Sequence, residues 1–110
     1  ACDDGARIID VAQPSRPREL AYLKTVTFAT GIALADERLY ISDLGGHVTI
    51  VDVSNAREPR KISERKLADR LLGLAASRDR LYLAAWHTGV KVVERERVDG
   101  PSSADGSAPQ

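Results

Sequence analysis

Between Arg38 and Val53 apolar and polar positions alternate with period two: Leu39 and Ile41 share one face of an extended segment, and Tyr40 and Ser42 share the other. Farther on, Val48, Ile50 and Asp52 alternate in the same way with Thr49, Val51 and Val53. The polar pair Asp36-Glu37, the turn Leu44-Gly45-Gly46 and the stretch that begins at Ser54 bound these runs, so the pattern predicts two strands joined by a hairpin. Read the same way, the rest of the chain predicts strands over 5–11, 18–26, 31–35, 61–68, 71–76, 79–85 and 89–97, nine in all. Pro14 and Pro17 stop the first strand because proline has no amide hydrogen to donate. Residues 31–35 are small and apolar on both faces, as a strand crowded by its neighbours requires, whereas 61–68 is charged like an exposed outer edge.

The pattern repeats at 42 residues without a gap. Ile50, Asp52, Val53, Pro59, Arg60 and Lys66 have counterparts 42 positions earlier in Ile8, Asp10, Val11, Pro17, Arg18 and Lys24. Gly31, Ala33, Arg38, Leu39, Tyr40, Val48 and Val51 have counterparts 42 positions later in Gly73, Ala75, Arg80, Leu81, Tyr82, Val90 and Val93. A period of this length suits one propeller blade of four short strands. The fold class expected is therefore all-β, a partial β-propeller of 42-residue, four-stranded antiparallel blades. Residues 1–27 supply the last two strands of a blade, 28–69 a complete blade and 70–97 three strands of another. The Ser, Gly, Pro and Ala of 98–110 have little to bury and are expected to be disordered.

Composition narrows the function classes. With 16 Lys and Arg against 16 Asp and Glu the formal net charge is zero, so a nucleic-acid role has no electrostatic support. The cations Arg57, Arg60, Lys61, Arg65, Lys66 and Arg70 are interleaved with Glu58, Glu64 and Asp69 and read as a solvated strand. One cysteine, Cys2, excludes an intrachain disulfide framework, and no apolar run approaches a membrane span.

The segments RLYISDLGGHVTIVDVSNAREP, RIIDVAQPSRP and RLYLAAWHTGVKVVE resemble the LVIVD-repeat group of β-propeller proteins. Tyr40, Asp43, Gly45, Gly46, Ile50, Val51, Asp52, Val53, Ser54 and Pro59 fall in its pattern. Departures are Ala85 where an Asp is usual and Glu94-Arg95-Glu96 in place of Asp-Val-Ser. The resemblance implies a bacterial or archaeal surface or secreted setting and no particular activity. A closed propeller has at least about four blades. The chain is thus expected to be a fragment of a longer protein, or a protomer whose open sheet edges are covered by the rest of a propeller or by other copies.

Candidate chemistry collects on one loop face. That face carries Asp43, His47, Arg70, Trp86 and His87, along with Asp3, Asp4, Thr27, Thr30, Leu44, Gly45, Gly46, Asp69 and Thr88. His47 and His87 stand two positions apart in repeat register with no third ligand at a set spacing, so they read as turn or surface histidines rather than a metal pair. Trp86 suits a partner contact or a sugar-stacking platform, and equally a ring packed at the blade interface. The segments at Asp3 and Asp43 lack the acid density of a calcium loop, and no serine lies in a nucleophile-elbow pattern. No catalytic residue, metal or cofactor is expected. A non-catalytic scaffold for a protein or glycan ligand is the favoured reading, against part of a metal-dependent propeller hydrolase or a piece without independent function.

Overall fold

The computed structural model describes residues 5–55 and 57–98. Nine strands and one short helix follow in chain order: β1 Gly5–Asp10, β2 Arg18–Lys24, β3 Ala29–Ala35, β4 Arg38–Asp43, β5 His47–Asp52, β6 Arg60–Lys66, β7 Leu71–Ala76, β8 Arg80–Ala85, β9 Gly89–Glu94 and α1 Arg95–Val98. They form three antiparallel sheets, β1-β2, β3-β4-β5-β6 and β7-β8-β9. The fold is all-β and built of blade-like repeats, and the described residues do not close a ring.

The repeat extends from residue types to backbone detail. Register slips fall between Ile8 and Ile9 and between Ile50 and Val51, and again between Ala29 and Gly31 and between Leu71 and Gly73. Both pairs of bulges are 42 residues apart. Asp52 Oδ1 accepts from Ser54 N and Asp10 Oδ1 from Ala12 N, each at 2.9 Å, so both carboxylates hold their turns as the sequence suggests. These bonds, to Ala12 at Asp10 and to Ser54 at Asp52, hold the two carboxyls below the usual aspartate value, with the neighbouring arginines adding a smaller pull.

The middle sheet is covered on both faces because alternate residues of β4 and β5 are apolar on both sides. Leu39, Ile41 and Val51 pack with Ala6 and Leu23 of the first sheet. Tyr40, Val48 and Ile50 pack with Leu71, Leu81, Leu83 and Ala85 of the third, and Val98 closes this second core. The inner strands approach closely where the sheets meet. A Cβ on Gly31 would lie 2.9 Å from Gly73 Cα, so glycine at 31 is a packing requirement. The hydroxyls of Thr30 and Ser42 bond at 2.9 Å, and Thr30 Oγ1 also donates to the Leu71 carbonyl at 3.0 Å, tying the second sheet to the third.

Three expectations need correction. The strand expected over 89–97 stops at Glu94 and turns into α1. Its cause is Arg95, which occupies the place of Val53 in the repeat and folds inward. Its Nε donates to Tyr40 Oη and its Nη1 to the carbonyls of Ser77 and Arg78. Val98, expected to open the tail, is buried, while residues 99–110 lie outside the described ones. Nor is β6 a fully solvated edge. Ser63 and Arg65 are buried under α1 and donate to the Val98 carbonyl, Oγ and Nε each at 3.3 Å. The crowding expected on both faces of residues 31–35 holds only on the side of Gly31: Ile32 and Leu34 are 42% and 62% exposed, because the described strands of the first sheet pack on Leu39, Ile41 and Val51 instead.

Candidate functional site

Antiparallel order puts the β4–β5 and β8–β9 turns, with the β2–β3 and β6–β7 crossings, at one end of the sheets. The other end carries the turns of Asp10 and Asp52. The five candidate residues divide between two turns at the first end.

Asp43 and His47 belong to the β4–β5 turn. Asp43 is fully buried and spends both carboxylate oxygens locally: Oδ1 accepts from His47 N at 2.9 Å and Oδ2 from Thr27 N at 3.2 Å. His47 Nδ1 sits 3.1 Å from the same Oδ1, which fixes the ring against the turn. Thr27 completes the clamp, its Oγ1 accepting from Gly45 N at 2.8 Å. Gly46 takes a φ of 90°, and any Cβ there would collide with the Ala68 carbonyl, so only glycine makes this turn. The Gly46 carbonyl in turn accepts from Leu67 N at 2.9 Å and Ala68 N at 3.3 Å. Asp43 therefore acts as the internal anchor of the turn and offers no surface to a ligand.

Arg70, Trp86 and His87 come together at the equivalent turn of the next repeat. Trp86 N donates to the Arg70 carbonyl at 3.0 Å, matching the 2.8 Å bond from Leu44 N to the Phe28 carbonyl 42 residues earlier. Here the clamp is missing: Ala85 stands where Asp43 stood and Asp69 where Thr27 stood. The turn instead bends through positive φ at His87 (72°) and Gly89 (84°). A histidine in this left-handed region is uncommon, and strained backbone of this kind gathers at functional sites. Trp86 is 46% exposed, with its ring edge-on to that of His87, centroids 5.1 Å apart at 75°. Asp69, Arg70, Trp86, His87 and Thr88 enclose a shallow cavity of about 240 Å³. Asp69 and Arg70 are exposed, and among the described residues their side chains make no hydrogen bond or ion pair.

Beside this cavity runs a wider groove of about 590 Å³, with Lys66, Leu67 and Ala68 on one wall and Val90 and Lys91 on the other. Sequence reasoning did not single out these residues. Val90 lies with Tyr82 and Val92 on the face of the third sheet that no other sheet covers among the described residues. Among the described residues no three His, Cys, Asp or Glu side chains gather closely enough to hold a metal ion, and no helix is long and apolar enough to cross a membrane.

Residues 28–63, from the end of the β2–β3 crossing into β6, match the family model of the LVIVD repeat. A comparison with curated proteins finds no match.

Proposed function

Since this chain carries an LVIVD repeat at residues 28–63, we propose that it is a non-catalytic β-propeller repeat module, working at the cell surface or outside the cell, whose loop face binds a protein or glycan ligand. The observation that carries this reading is the Trp86–His87 corner. A half-exposed indole stands edge-on to a left-handed histidine, and Asp69 and Arg70, whose side chains make no hydrogen bond or ion pair among the described residues, line the same cavity. Such a corner supplies a flat apolar face for a sugar ring or side chain, and polar groups that fix its orientation. A non-catalytic role is supported by the other turn, where Asp43 and His47 are consumed in holding the backbone.

Trp86 is the single tryptophan of the chain, so its emission reports the site directly. Titration with a glycan panel and a peptide library is expected to identify a ligand that shifts or quenches this emission. Arg70→Ala and His87→Ala should each weaken its binding. A ligand that binds with equal affinity to Trp86→Ala would remove this face from consideration.

A further inference from the structure

We propose that the loop-face ligand is a protein rather than a glycan, and that its footprint runs from the Trp86 corner across to Phe28 and Leu44 of the second sheet; this rests on the loop-face reading above. Phe28 and Leu44 hold in the second sheet the register positions that Arg70 and Trp86 hold in the third. The bond from Leu44 N to the Phe28 carbonyl joins their backbones as the bond from Trp86 N to the Arg70 carbonyl joins the other two. Both are exposed, Phe28 by 54% and Leu44 by 38%. This exposure belongs to the repeat and not to a missing neighbour. Arg70 has the complete second sheet packed against its own and is still exposed, so position 28 faces solvent in a filled neighbourhood too. Leu44 has the third sheet against its own and is still exposed, and the same holds for position 86. Tyr82, Val90 and Val92 differ, since they lie on the open face of the third sheet, and they form no part of the footprint.

The two halves of this surface are close. Thr30 Oγ1, two residues beyond Phe28, donates to the carbonyl of Leu71, next to Arg70, so the two pairs stand about 10 Å apart, one sheet spacing. About three extended residues of a partner span that distance. Chemistry selects the partner. Around Phe28 and Leu44 the polar groups are spent inside the turn: the Phe28 carbonyl accepts from Leu44 N, Thr27 Oγ1 from Gly45 N, and the Asp43 carboxylate from Thr27 N and His47 N. A sugar laid there would give up water from its hydroxyls and find no replacement, whereas a large apolar side chain gains by the burial. At the other half, tryptophan and arginine are the residue types that carry most of the binding energy at protein interfaces. The Arg70 guanidinium, with no partner among the described residues, favours a carboxylate in the incoming segment, and Asp69 beside it takes a donor. The occupant is thus a protein segment with large apolar side chains over Phe28 and Leu44 and an acidic residue toward Arg70.

The test uses the whole 110-residue chain, a displayed library of random dodecapeptides and a panel of neutral and acidic oligosaccharides, with Trp86 emission as the readout of binding. Selected peptides are expected to combine Leu, Ile, Phe or Met with an Asp or Glu. Phe28→Ser and Leu44→Ser, both at exposed positions, should each weaken peptide binding about tenfold and leave the melting temperature unchanged. Peptides that need Trp86 but bind these two variants as tightly as the parent chain would overturn this inference and leave the Trp86 corner as a binding site. Oligosaccharide ligands with no peptide ligand would do the same. Ligands of either kind that bind Trp86→Ala unchanged, or no ligand at all, would overturn both. A concentration-dependent dimer, seen by light scattering and lost in Leu44→Ser, would show that a second copy covers the patch, and would overturn the inference as well.

Discussion

Arg95 Nε donates to the hydroxyl of Tyr40 at 2.7 Å, joining the second and third sheets across 55 residues of sequence, and the guanidinium also lies over the Tyr40 ring at 5.4 Å. The same side chain reaches Ala35, Ser77 and Arg78 carbonyls, so it links the β3–β4 turn to the β7–β8 turn. Its ion pair with Asp36 adds little, because that carboxylate is 73% exposed. Arg95→Met should destabilise the fold by about 2–4 kcal/mol, since it strands buried acceptors. Tyr40→Phe should cost only about 1 kcal/mol. Thermal or urea unfolding of both variants and of the double variant measures the coupling.

Close approach of the inner strands predicts an asymmetry between two glycines of identical register. Gly31→Ala pushes a methyl group to 2.9 Å from Gly73 Cα and should cost about 1–3 kcal/mol. Gly73→Ala meets nothing within 4 Å and should stay within about 0.5 kcal/mol of the parent. Denaturant midpoints of the two variants decide it.

The carboxylate clamp of the β4–β5 turn should be intolerant of an amide. Asp43→Asn keeps one oxygen for three converging donors and turns an NH₂ group toward the others, at an expected cost of about 1–3 kcal/mol. A fall in melting temperature with slower turn closure in exchange experiments would accord with this; an unchanged melt would contradict it.

Asp10 and Asp52 give the stability a direction in pH. Both carboxyls sit below their ordinary value of 3.8 because turn amides bond the ionised form. Their contribution is fully present above that value in the unfolded chain and is lost as pH falls through the lower folded values. The unfolding midpoint should therefore decline below about pH 4, and less steeply in Asp52→Asn. A melt series from pH 7 to pH 2.5 checks the sign.

Much of the architecture was legible because the repeat can be counted: the strand positions, the faces of β4 and β5 and the turn-holding aspartates all follow from period and register, whereas the crowding expected on both faces of residues 31–35 holds only on the side of Gly31, Ile32 and Leu34 being 42% and 62% exposed. What escaped was long-range. Arg95 looks like an exposed residue of an alternating strand until Tyr40 and two turn carbonyls are brought beside it. Ser63 and Arg65 read as part of a solvated edge until Val98 lies over them. Of the candidate site, the grouping of Arg70, Trp86 and His87 follows from equal register of the two turns. The burial of Asp43 does not, since three donors from 25–47 converge on it only after the crossing between β2 and β3 is folded.

Amide chemical-shift mapping of the isotopically labelled chain with the first ligand found on the glycan and peptide panels tests the central functional claim most directly. Perturbations concentrated at Asp69, Arg70 and residues 86–88 are predicted. Perturbations concentrated at the opposite end, around the Asp10 and Asp52 turns, would contradict the assignment of the binding face.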